Sequence, residues 1–394
     1  MKRRDWLALG CAHCVGLAAA WPRGAFAQDA AAAPTTAAWT PPALFTRPDL
    51  ASEEGGLLAM MDREEVRLRR SPFVMRDKAL RDYLQGIACK LGGEHCADVR
   101  VYPVRTALYN ASMAPNGMMQ VWSGLMLRAE NEAQLAAVLG HEIGHYLQRH
   151  VLDRMRDVRD RAAFATFMVP FGVVGLVGQL AAAAGMYGFT RDQERDADRI
   201  GLALMRSAGY DPREASKTWD NLLAERSASQ GDDAKATPIF ATHPGAEERA
   251  RTLADMAADA TGGFVGEAEY AAKLAPFMFD LLDDELKRGQ HAETLVLLER
   301  MLGRAPGRPD LLYFRGETRR LRAAGDDLDL ALEDFRSAAA ADGAPAQVFR
   351  SAGYIHRQRE QWPEARAAFE RYVELAPAAP DVNMIKSMIT GEKT

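Results

Sequence analysis

Apolar and polar positions along this chain fall into two distinct rhythms. Around Val99 to Trp122, β-branched and aromatic residues flank Ala114-Pro115-Asn116-Gly117, a turn signature, and the spacing predicts a β-hairpin. Helical spacing dominates elsewhere from about Leu50 onward. Asn131 supplies an N-cap with Gln134 three residues on, and Leu135, Val138, Leu139 and Ile143 recur on one face. A second capped helix starts at Thr190, with Gln193 in the capping-box position and Gly209 after its last turn.

Between these two helices, Ala162 to Thr190 carries no charged residue and is long enough, by count, to cross a bilayer. Pro170, Gly172, Gly175, Gly178 and Gly185 interrupt it. The pattern therefore predicts a bent helical hairpin, either packed on the core or dipping into a membrane surface. Ser227 to Thr237 reads as a polar loop, and near Gly262 the texture becomes repetitive. Gly353, Ala365, Phe369 and Pro377 fall at the spacing of a tetratricopeptide unit. Gly316, Ala331, Phe335 and Ala338 form a second copy with extra residues near Gly325, and Ala292, Leu295 and Pro306 a weaker first one. Such units bury their faces only by stacking, and about three are needed.

The 394 residues, 48% of them hydrophobic, suffice for two or more domains. A net charge of -5 gives no sign of a nucleic-acid binder. The N-terminus adds an address: Lys2, Arg3 and Arg4 precede an apolar stretch from Leu7 to Trp21 and a small-x-small site at Ala25-Phe26-Ala27. Residues 1–27 are expected to be an export signal, of either the ordinary or the twin-arginine type. Residues 28–47, rich in Ala, Thr and Pro, read as a flexible linker. Loss of the signal removes Cys11 and Cys14; Cys89 and Cys96 remain, as a disulfide or as two unpaired core residues.

The candidate chemistry lies on the two capped helices. His141-Glu142-Ile143-Gly144-His145 is HExxH, which puts two imidazoles on one helical face and Glu142 about 100° round from His141. Chance produces such a motif on the order of once per hundred chains of this length. Downstream, Glu194-Arg195-Asp196-Ala197-Asp198 is ExxAD. Glu194 is the expected third metal ligand, with Asp198 one turn on to accept a hydrogen bond from a ligand imidazole. His243 before Pro244 is open to two readings, a helix cap or a metal-site residue. Arg249 reads either as an exposed side chain or as part of the site. His150, on another helical face from the ligand pair, reads as structural, and His95, His291 and His356 are given no role.

These motifs resemble those of the gluzincin-type zinc endopeptidases, the family of the heat-shock membrane protease HtpX and the CAAX prenyl endopeptidase. The likeness extends from about Leu50 to Asn383, and is greatest to periplasmic members that join the catalytic domain to C-terminal tetratricopeptide repeats. Asn110-Ala111, Pro115 and Gly117 match the family's hairpin before the active helix, and Thr242-His243-Pro244 with Arg249 a later element. The resemblance implies a mainly α fold: a zincin-like metalloprotease domain with a small β-hairpin or sheet (48–262), then an α-solenoid of tetratricopeptide-like hairpins (263–390). It implies one Zn²⁺ per chain on His141, His145 and Glu194, with Glu142 as base. His243 would act as a latch in the fourth metal position, and Arg249 would stabilise an oxyanion or orient His243. The expected activity is endoproteolysis of extended or misfolded polypeptides in the periplasm. Unassembled outer-membrane proteins and their assembly machinery are the expected partners, with no nucleic acid and with membrane contact through residues 162–190 left open. The alternative is a periplasmic chaperone or scaffold acting through the repeats, with latent proteolysis.

Overall fold

A computed structural model describes residues 39–157, 189–229 and 238–391. The expected export signal, most of the linker, residues 162–188 of the apolar segment and most of the polar loop lie outside the described residues. From Pro41 on, the described residues belong to one compact unit. The molecule is mainly helical with one small sheet, and no helix among the described residues is long and apolar enough to cross a membrane.

Two helices open the unit, α1 (Glu53–Arg70) and α2 (Lys78–Gly92), capped by the side chains of Ser52 and Asp77. A disulfide between Cys89 and Cys96 ties the end of α2 to the 3-10 turn Gly93–Asp98. Next come β1 (Arg100–Val104), β2 (Ala111–Met113) and β3 (Met118–Trp122). β2 and β3 form the expected hairpin around Ala114 to Gly117, with Ser112 opposite Gln120. The sequence pattern missed that β1 pairs with β3 in parallel, which makes the order β1-β3-β2 and leaves β2 at the edge. Every residue of β3 is buried, so it is the central strand by packing as well as by order.

After the short α3 (Ser123–Arg128) come α4 (Glu132–Leu147), α5 (His150–Asp157) and, past the undescribed stretch, α6 (Arg191–Ser207); α4 and α6 carry the motifs. Asn131 caps α4 by accepting from Gln134 N–H, and Thr190 with Gln193 forms a complete capping box on α6. At its other end α6 stops in a Schellman turn: Gly209 N–H donates to Arg206 and Tyr210 N–H to Met205, with Gly209 at φ 78°. The α4–α6 crossing is close because both helices carry glycine there. A Cβ on Gly201 would lie 2.9 Å from His141 N, and one on Gly144 2.9 Å from the Ala197 carbonyl oxygen.

Behind this pair lie α7 (Glu214–Ala228), α8 (Pro238–Thr242) and α9 (Ala246–Met256). The C-terminal helices are α10 (Glu267–Leu274), α11 (Met278–Lys287), α12 (His291–Arg304), α13 (Pro309–Arg322), α14 (Asp327–Ala339), α15 (Gln347–Gln358), α16 (Trp362–Leu375) and α17 (Val382–Gly391). α13 pairs with α14 and α15 with α16 in the same manner. In each pair a glycine of the first helix, Gly316 or Gly353, faces the ring of a buried phenylalanine of the second, Phe335 or Phe369. The extra residues near Gly325 fall in the turn between α13 and α14.

Candidate metal centre

α4 supplies His141, Glu142 and His145, and α6 supplies Glu194 and Asp198. All five side chains are buried. Their convergence follows from the glycine-lined crossing, which brings the first turns of α6 against the last turns of α4. Nε2 of His141 lies 3.0 Å from Nε2 of His145. Glu194 reaches both, with oxygens 3.6 Å from His141 Nε2 and 3.5 Å from His145 Nε2.

His243 enters from the far side, between α8 and α9. Its Nδ1 is 3.2 Å from His141 Nε2 and 3.0 Å from Glu194 Oε1, and its Nε2 is 3.6 Å from Glu142 Oε1. The capping reading fails on geometry: the N-cap of α9 is Gly245, at φ 85°, while His243 N–H donates back to Ile239 in the first turn of α8 and so closes that helix. Ligand atoms of His141, His145, Glu194 and His243 all fall within 4.8 Å of one another.

Does this set fit an ion? A tetrahedral ion with bonds of about 2.0–2.1 Å holds its ligands about 3.3 Å apart. The five separations given above among the four residues lie between 3.0 and 3.6 Å, with Glu194 facing His141 through Oε2 and His145 and His243 through Oε1. Two of them set imidazole nitrogens against each other, an arrangement that a shared cation explains better than neutral rings do. Glu142 Oε1 is buried and has no hydrogen-bond partner among the described residues, as suits a base that faces a reacting molecule. The donor set fits a divalent metal.

Arg249 is buried, which excludes its reading as an exposed side chain. Its Nη1 pairs with Glu194 Oε2 at 2.6 Å and its Nε donates to Asp198 Oδ2 at 2.7 Å, while its guanidinium lies over the Trp219 ring. Arg249 therefore holds one Glu194 oxygen and leaves the other facing His145 and His243. Asp198 Oδ1 stands 2.9 Å from His141 Nδ1, the imidazole contact its spacing predicts.

The electrostatics follow from burying opposed charges together. Burial pushes Glu142 up to about 7, against the pull of His243. Burial lowers His141 to about 4 and holds His145 well below its ordinary value, aided by Arg249 and by His141 respectively. Burial would raise Glu194, yet His243 and Arg249 hold it well below the usual carboxylate range. His243 moves the other way: burial disfavours its charge, but Glu194 and Glu142 outweigh that and raise it. At neutral pH His141 and His145 are thus neutral and Glu194 ionised, the protonation states that metal binding would require.

Two contacts of His145 escaped the sequence reading. Phe189 stacks on the His145 ring with centroids 3.8 Å apart, and His150 Nδ1 lies 2.9 Å from His145 Nδ1. Trp219, beneath Arg249, joins Tyr109, Val138, Leu202 and Ile239 around a narrow cavity of about 20 Å³ beside Glu142. On the opposite side, a cavity of about 200 Å³ runs past His145, Met113 and Pro115 to Arg149 and Phe45. Phe45 belongs to the stretch read as linker, and packs on Tyr146 and His95.

Comparison with known proteins follows the same residues. Residues 75–257 match the model of peptidase family M48. Mitochondrial metalloendopeptidase OMA1 of Arabidopsis thaliana is 34% identical over 154 residues, 39% of this chain and 30% of the relative. Beta-barrel assembly-enhancing protease of Escherichia coli (strain K12) is 28% identical over 227 residues, 52% of this chain and 45% of the relative. Metalloprotease LoiP of the same strain is 31% identical over 160 residues, 38% of this chain and 60% of the relative. The chain thus spans less than two thirds of each of these relatives. The matched stretch holds α4, α6, α8 and α9, and with them every residue of the cluster, so the likeness to peptidase family M48 at residues 75–257 covers the whole candidate site.

Proposed function

We propose that this protein is an exported zinc metalloendopeptidase that cleaves extended or misfolded polypeptides in envelope protein quality control. The observation that carries the reading is the convergence of His141, His145 and Glu194, with Glu142 buried beside them. Two histidines and a carboxylate are a set that suits catalytic zinc. Zinc supplies Lewis acidity: it lowers the pKa of water to about 7 and stabilises an oxyanion. The protein's part is positional. Glu142 takes a proton from the attacking water and passes it to the leaving amine. Asp198 fixes His141, and Arg249 fixes the rotation of Glu194.

The substrate reading rests on β2. It is an edge strand, it packs against α4, and the Met113 backbone hydrogen-bonds Glu142. An extended peptide paired along that edge passes the catalytic carboxylate, whereas a folded chain offers no free backbone to pair. We take the protease domain as 48–262 and a tetratricopeptide-like solenoid as 263–390; the repeated Gly–Phe packing of α13 to α16 supports helical-hairpin repeats in the latter. In this reading the helical pairs recruit clients or partners through a concave face. The relatives named for β-barrel assembly make unassembled outer-membrane proteins and their assembly machinery the leading candidates, in the periplasm after cleavage following Ala27.

A second reading is favoured by His243. With its Nδ1 at 3.0 Å from Glu194 and 3.2 Å from His141, it occupies the place substrate needs, so the resting protein is a latent protease acting as a scaffold or chaperone. One experiment separates the two: metal analysis and casein cleavage on wild type and Glu142→Gln. The variant keeps its ligands, so it is expected to hold one zinc per chain and to lose at least about a hundredfold in cleavage. Full cellular function in E142Q would remove proteolysis as the main output.

A further inference from the structure

His150 is a buried imidazole that the reaction above does not use. Its Nδ1 lies 2.9 Å from Nδ1 of His145, with both rings buried. A continuous α-helix would not bring these residues together, because five positions place side chains about 140° apart. The chain makes the contact by breaking the helix. Arg149 adopts φ 57°, in the left-handed region, between the end of α4 and the start of α5. That reversal swings His150 back over the last turn of α4. Arg149 itself is anchored by an ion pair to Glu54 of α1, so the reversal is braced.

Two ring nitrogens at 2.9 Å need one proton between them, one donating and the other accepting. The Nε2 edge of His145 faces His141 at 3.0 Å and Glu194 at 3.5 Å, so that edge presents its lone pair to an ion. A neutral imidazole in that role carries its proton on Nδ1. Resting on the metalloprotease reading, we propose that His150 is a positioning residue for the metal centre: its unprotonated Nδ1 accepts the His145 Nδ1–H and fixes that ligand's tautomer and rotation. The proton of His150 then resides on Nε2. Asp198 does the corresponding work for His141. The difference between the two partners has a physical sense. Glu142, Glu194 and Asp198 already bring three carboxylates to the site, and a neutral acceptor orients His145 without adding a fourth charge. Phe189, stacked on the His145 ring, fixes its plane while His150 fixes its rotation within that plane.

The test reads zinc binding as well as activity. Zinc affinity of the full chain is measured by competition with a chromophoric chelator, alongside melting temperatures with and without zinc, for wild type, E142Q, H150A and H150N. H150A is expected to bind zinc about 10–100-fold more weakly, the usual effect of losing such a partner, while its metal-free melting temperature stays at the wild-type value. H150N, whose amide oxygen can accept the same proton, is expected to recover most of the affinity. Should H150A not fold, H150F takes its place, keeping the ring volume without an acceptor. Wild-type affinity in H150A or H150F, or affinity in H150N as weak as theirs, overturns the proposal. A wild type that takes up no zinc overturns the metal centre beneath it. A wild type that binds zinc, with E142Q inert and H150A unaffected, sinks His150 alone.

Discussion

At the scale of single residues, the site is a balance of charge in which one histidine has two conflicting attachments. His243 faces Glu194 on one edge and Glu142 on the other, so the same ring that completes the candidate cluster also covers the proposed base. Removing it frees both. His243→Ala is therefore expected to raise casein cleavage at constant zinc content, by roughly tenfold if nine molecules in ten rest with the ring in place. Unchanged or lower cleavage would count against the latch. HExxH and ExxAD were legible in the sequence because each places its groups on one helical face. The cap reading of His243 was overturned because Pro244 suggested a helix start, whereas the helix begins after Gly245. The contact of His150 with His145 is illegible for a related reason: along an unbroken helix the two lie on different faces, and nothing in the local pattern announces a left-handed Arg149.

At the scale of elements, the crossing of α4 and α6 decides whether two separate motifs make one site. Gly201 sits on the inner face of α6, two turns beyond Glu194, against the backbone of His141. A methyl group there meets backbone atoms at 2.9 to 3.1 Å and has no flexible side chain to push aside. Gly201→Ala is expected to cost about 1–3 kcal/mol. It is also expected to lower the zinc content, since a displaced α6 carries Glu194 with it; a thermal melt and metal analysis on one sample check both. Capping and periodicity placed both helices correctly, because Asn131 and Thr190 act on adjacent backbone groups. The parallel partner of β3 was invisible for the opposite reason. β1 is joined to β3 through β2, and that order is set by burial against α2 and α4, not by any turn signal.

At the scale of the whole molecule, one arginine joins α3 and α7 to the C-terminal helices through α11. Arg128 of α3 donates to Glu225 of α7 at 2.6 Å and to Glu285 of α11 at 2.8 Å, all three side chains almost without exposure. Arg128→Met would take from Glu225 and Glu285 the buried cation they share, leaving each one arginine, Arg300 and Arg288 respectively, at a cost of up to about 3–5 kcal/mol. The pH dependence has a definite sign. Burial would raise Glu285, but Arg128 and Arg288 hold it below the ordinary carboxylate value. Its contribution is full above its ordinary value of 4.5 and fades as pH falls through the depressed one. In the variant Glu285 titrates higher, so the stability gap between wild type and R128M should narrow from pH 7 towards pH 4, as read by denaturant unfolding; a constant gap would assign the loss to packing. The edge strand carries a last consequence. Exposed strand edges tend to recruit copies of themselves and grow into aggregates. β2 is only three residues long and has two of them buried, so it offers a passing chain a brief foothold and cannot seed a fibre.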